Sequence, residues 1–139
     1  MGKLIEATHV TLGGEVGTND WAFPYLDHQH SQYAMELLTE ADAPTGPTWN
    51  ATAIDGDIAS FVDDLKRNAG QNLLRYGNGP LDATLMEHGL IDEFHLFLTP
   101  VAIGKGKHLF ESIDTAPHLR LVDIRRLDSG VLILVYAPK

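Results

Sequence analysis

The segment Val131-Leu-Ile-Leu-Val-Tyr136 is apolar at every position, and this feature most narrows what the chain can fold into. A strand with one wet face alternates apolar and polar residues, whereas a strand covered on both faces does not. The chain therefore needs a sheet with helices packed on either side. A suitable helix is legible upstream, where Ile58, Phe61, Val62 and Leu65 recur at the spacing of one buried face. A second, over Asp27 to Glu40, carries a weaker stripe of Tyr33, Leu37 and Glu40, with Met35 and Leu38 beside it.

The strands follow from composition and punctuation. Residues 3–12 mix β-branched and apolar side chains and run into Gly13-Gly14. Asn50–Ile54 and Asn72–Tyr76 read as short strands, with Asp55-Gly56-Asp57 supplying helix-capping side chains between them. Glu15 to Pro24 reads as a polar loop carrying Trp21 and Phe23, and Gly70 as a helix stop. Gly77-Asn78-Gly79 is a tight turn, and Pro80 suits the first position of a helix that runs to His88. Ile91 to Ile103 reads as one long strand or two joined at Pro100. Leu119–Arg126 and Val131–Tyr136 form a hairpin about Asp128-Ser129-Gly130. Alternating strands and helices in the middle of the chain imply parallel strands joined by crossovers, and the ending is antiparallel.

With 139 residues the expectation is a single domain over 1–139. Nineteen acidic against ten basic residues give a net charge of −9, which repels a nucleic-acid backbone, so no nucleic-acid partner is expected. The basic group Lys105, Lys107, Arg120, Arg125 and Arg126 reads as solvated charge beside a strand. The longest apolar run is too short to span a bilayer, the start lacks a signal-peptide pattern, and cysteine is absent. A cytoplasmic protein without membrane partners or disulfides is the reading.

Chemistry is concentrated in few places. Tyr76-Gly77-Asn78-Gly79-Pro80-Leu81 lies between a strand and a helix, where backbone N–H groups can approach a phosphate. The same pattern also serves any tight connection. Seven histidines show no metal-ligand spacing, and His95 between Phe94 and Leu96 reads as a hydrogen-bonded strand residue. No serine stands in a nucleophile context, so no catalytic residue is assigned. Trp21, Phe23 and Tyr25 offer either packing over the sheet or a platform for a flat heterocycle.

Seven phrases, taken in order, resemble the C-terminal reductase domain of bifunctional riboflavin-biosynthesis deaminase-reductases, a branch of the dihydrofolate-reductase-like proteins. They are Trp21-Ala-Phe-Pro-Tyr25, the stretch 36–43, the stretch 49–57, Leu74-Arg-Tyr-Gly-Asn-Gly-Pro-Leu81, the stretch 89–94, the stretch 100–110 and the stretch 129–136. The resemblance implies an α/β, mainly parallel mixed sheet with helices on both faces and a C-terminal antiparallel hairpin. It implies an NADPH-dependent reductase acting on a small heterocyclic substrate. The cofactor would lie against Val10, Gly13, Tyr76, Gly77, Asn78, Gly79 and Leu81, and the substrate against Trp21 and Tyr25. A non-catalytic binding or dimerisation module is the alternative that keeps the fold.

Three departures stand out. Between Ala43 and Trp49 the family has a strand, a helix and a strand, so about thirty to forty residues are missing and the sheet is reduced in strand number. Gly13 stands where the family usually has aspartate, and Asn78 where serine or glycine is commoner. Closing the gap predicts that Asn50–Ile54 pairs in parallel with Asn72–Tyr76, because an open gap would leave backbone groups unpaired. Apolar residues around Phe94, Phe97 and Val131–Tyr136 predict a homodimer.

Overall fold

The computed structural model describes residues 2–17, 19–40, 56–77 and 81–139. Five strands form the main sheet: β1 (Leu4–Val10), β3 (Leu73–Tyr76), β4 (Glu93–Leu98), β6 (Leu119–Arg126) and β7 (Leu132–Pro138), in the order β3-β1-β4-β7-β6. β1 pairs in parallel with β3 and β4, while β7 is antiparallel to both β4 and β6. The mixed sheet with a terminal hairpin is the expected one. A two-stranded antiparallel ladder joins β2 (Glu15–Val16) to β5 (Lys107–His108).

Helices cover both faces. On one, α1 (His28–Thr39) seats Tyr33 and Leu37 against Ala7, Phe97, Ile133 and Val135. Asp27 caps it by accepting the His30 N–H at 3.0 Å, satisfying a donor that no helical carbonyl can reach. On the other face, α2 (Ile58–Asn68) and α3 (Leu81–Glu87) bring Ala59, Val62 and Leu85 against Leu4, Val10, Phe94 and Leu96. β1, covered on both sides, is buried at every position except His9.

Several expectations need correction. The buried stripe of α2 is Ala59, Val62 and Lys66, and Leu65 is 45% exposed. Lys66 turns inward because its amine donates to the Leu90 carbonyl at 2.7 Å and pairs with Asp92 at 2.8 Å. Gly70 is not the left-handed stop: α2 ends at Asn68, with Ala69 in extended backbone. Asp57 stands at the helix start, but its carboxylate takes the Ser60 hydroxyl rather than a backbone N–H. The strand expected over Ile91–Ile103 stops at Leu98, where Thr99 donates to the Val10 carbonyl and the chain turns away. The loop expected over Glu15–Pro24 instead holds β2 and a 3₁₀ helix, Asn19–Tyr25.

Phe94 and Phe97 are fully buried, so they are core and no source of a sticky surface. Among the exposed apolar residues, Leu121, Val122 and Ile124 lie together on β6. The strand expected over Asn50–Ile54 lies outside the described residues, and β3 pairs with β1. Among the described residues no helix is long and apolar enough to cross a membrane.

Candidate functional site

β1 and β3 are parallel neighbours, yet the chain leaves them toward opposite faces of the sheet. From β1 it leads to α1 on one face, and from β3 to α3 on the other. Divergence of this kind opens a crevice outside the carboxyl ends of the two strands, the usual ligand position in such sheets. Ala7 registers with Tyr76, and the Gly77 N–H donates to the Ala7 carbonyl at 2.8 Å. Tyr76–Gly77 therefore lies beside Ala7, while β1 runs on along β4 to Val10 and the Leu12 N–H donates to the Val101 carbonyl.

Each of those residues has a distinct part. Val10 is buried in the core, and its carbonyl accepts the Thr99 N–H at 2.8 Å. Gly77 sits at φ +81 with open space where a side chain would be, so a side chain there would be strained rather than crowded. Tyr76 is 49% exposed beside it, and partial burial raises its phenol above the usual range. Leu81 opens α3 and packs against the core. Asn78 and Gly79 lie outside the described residues. Tyr25 packs against the Ala7 and Phe97 core, which is the plainer of its two readings, and Trp21 is half-buried on the same 3₁₀ helix.

Behind the turn stands a buried ionic group. Arg75 on β3 bonds both Glu6 on β1 and Asp82 on α3, so one guanidinium ties together the three elements around the crevice. Both carboxyl groups are inaccessible, and one cation cannot balance two buried anions. Burial, then the neighbouring Asp82, push the Glu6 carboxyl up to about 9 against the pull of Arg75. Glu6 is thus protonated at neutral pH, and the group is neutral as a whole. Arg75 is engaged here, so the basic residue nearest the glycine turn is not offered to a phosphate.

On the α1 side, His9, His30 and Phe97 form a ring cluster with centroids 4.9 Å apart. Burial, then the neighbouring His30, lower the His9 imidazole to about 4. Burial also lowers His30, against the pull of Asp27. Both rings are neutral at pH 7 and act as flat, weakly polar walls. Period two in the strand places His9 on the Ala7 face, but nothing local reveals that α1 brings His30 onto it.

A separate polar chain runs Tyr33, His95, Glu93, Lys3. Glu93 accepts from Lys3 at 2.9 Å and is held below the usual carboxylate range, the His95 and Lys3 hydrogen bonds outweighing burial. His95 Nε2–H therefore donates to Glu93 at 2.8 Å, leaving Nδ1 to accept the Tyr33 hydroxyl at 2.5 Å. His95 is the hydrogen-bonded strand residue that its neighbours suggested.

The RibD C-terminal domain family matches residues 26–133. The uncharacterised protein YyaP of Bacillus subtilis is 38% identical over 86 residues, covering 62% of this chain and 46% of that protein. The chain spans about half the length of the curated relatives it matches. Three solved structures share the fold at low identity. A pyrimidine reductase-like protein from Corynebacterium diphtheriae superposes with a TM-score of 0.73 at 11% identity, over 99% of this chain and 92% of that one. A diaminohydroxyphosphoribosylaminopyrimidine deaminase/5-amino-6-(5-phosphoribosylamino)uracil reductase from Thermotoga maritima gives 0.65 at 13% identity, over 99% and 57%. Dihydrofolate reductase from Enterococcus faecalis complexed with NADP(H) gives 0.55 at 12% identity, over 99% and 97%.

Proposed function

Because the chain belongs to the RibD C-terminal domain family, we propose that it is an NADPH-dependent reductase of a small heterocyclic substrate. The observation that carries this reading is the divergence of the chain from the carboxyl ends of β1 and β3 to opposite faces of the sheet, with Gly77 at φ +81 just past β3. The Enterococcus relative in fold was solved with NADP(H), and the Thermotoga relative is a uracil-type reductase. One feature fits such a cofactor: the space where a side chain at Gly77 would stand is open.

When bound, the cofactor supplies a hydride, so the protein needs no nucleophile of its own. The chain's part is to hold two flat rings face to face. The pyrophosphate would be held beyond Gly77 by groups other than Arg75, which is engaged by Glu6 and Asp82, and other than the Gly77 N–H, which is given to the Ala7 carbonyl. The end of β1, from Val10 to Gly13, would lie along the nicotinamide, and Trp21, with the part of Tyr25 left outside the core, would border the substrate.

That same engagement of Arg75 favours a second reading, a binding or dimerisation module that has given up the nucleotide. Fluorescence titration with NADPH and NADH separates the two. The reductase reading expects saturable NADPH binding that Gly79→Val abolishes in a folded protein. A parent protein that binds neither nucleotide favours the module.

A further inference from the structure

Gly13 is glycine for a reason other than backbone freedom. Its φ lies outside the left-handed region, so any residue could adopt its backbone. What excludes a side chain is Glu15: a Cβ at position 13 would stand 2.8 Å from Glu15 Oε1 and closer still to Oε2. The carboxylate of Glu15 fills the room that a residue-13 side chain would take, at the carboxyl end of β1.

This carboxylate is built in rather than incidental. Glu15 is 4% exposed and Thr11 is fully buried. The Thr11 hydroxyl donates to Glu15 Oε1 at 2.5 Å and accepts the Glu15 N–H at 3.1 Å, which fixes that oxygen. Oε2 faces His108 Nε2 at 3.4 Å, long for a hydrogen bond. A carboxylate with one oxygen held by Thr11 and the other in a long contact keeps lone pairs suited to an incoming N–H. Its position puts it at the strand end along which the nicotinamide is read to lie.

We propose that Gly13 and Glu15 are a matched pair, and that Glu15 Oε2 accepts a hydrogen bond from the carboxamide N–H of the bound nicotinamide. This role for Glu15 rests on the nucleotide reading above, whereas the pairing with Gly13 does not.

Thermal unfolding tests the pairing without any ligand. Gly13→Asp crowds two carboxylates, and Glu15→Ala leaves the Thr11 hydroxyl buried without its acceptor. Each lowers Tm, and the double variant loses less than the sum, because the carboxylate introduced at position 13 then occupies the vacated room. Additive losses overturn the pairing. If Gly13→Asp does not fold, Gly13→Ala alone and with Glu15→Ala completes the same cycle.

Binding tests the role. Glu15→Gln keeps the acceptor for Thr11 and the shape of the side chain, but presents an amide N–H₂ where Oε2 stood. It unfolds near the parent temperature, and it binds NADPH about ten- to a hundredfold more weakly. It binds 2′-phosphoadenosine diphosphate ribose, which lacks the nicotinamide, as the parent does. Equal loss for both ligands, or no loss for either, overturns the role. A parent that binds neither ligand overturns the nucleotide reading and the role with it, while the unfolding cycle still decides the pairing.

Discussion

Glu6 is fully buried, and its carboxyl rises to about 9, so the folded protein holds a proton that the unfolded chain releases near 4.5. A raised acid contributes stability that is complete below the unfolded value and lost as pH climbs toward the folded one. Glu6→Gln mimics the protonated form and can still donate to Asp82 and accept from Arg75. Relative to that variant, the parent should lose roughly 1.4 kcal/mol per pH unit between pH 7 and 9, measured by urea unfolding. A parallel pH dependence for both proteins contradicts the protonated Glu6. His9 works in the opposite window. Its imidazole is lowered to about 4, so stability present above 6.5 is lost as pH falls toward 4. His9→Gln should flatten that acid limb, and an unchanged limb would show that the ring stack is not the cause. Neither residue announces itself in the sequence, because both shifts come first from burial by the folded chain and only then from Asp82 and His30, which lie far from them in sequence.

At the scale of elements, α2 separates what apolar spacing reveals from what it hides. Its boundaries, Ile58–Asn68, were readable from the periodicity and the polar start. Its facing was not. Hydropathy assigns Leu65 inward and Lys66 outward, whereas the Leu90 carbonyl and Asp92 draw the amine in. Lys66→Met keeps the volume but strands a buried carbonyl. It should cost about 1–3 kcal/mol and lower Tm by several degrees in calorimetry. An unchanged Tm would mean the amine is dispensable. The hairpin β6–β7 was legible because its turn chemistry is local. The stop of β4 at Leu98 was not, since it depends on Thr99 reaching the Val10 carbonyl. Gly77 was legible as a turn, while the Glu15 carboxylate that explains Gly13 is visible only once β2 forms.

For the whole molecule, β6 is the outer strand of the described sheet and carries Leu121, Val122 and Ile124 exposed. An edge of this kind can pair with its own copy across a two-fold axis. Light scattering should therefore give about twice 15.2 kDa, and Leu121→Glu with Ile124→Glu should return the protein to 15.2 kDa. A parent of monomer mass at micromolar concentration contradicts the dimer. Amide chemical-shift mapping during an NADPH titration tests whether the nucleotide lies at the carboxyl ends of β1 and β3. The amides of Thr11 to Glu15, Gly77 and Leu81 should move together with one saturation curve, while those of α2 and β6 stay in place. Shifts confined to other elements, or no shifts at saturating NADPH, would contradict it.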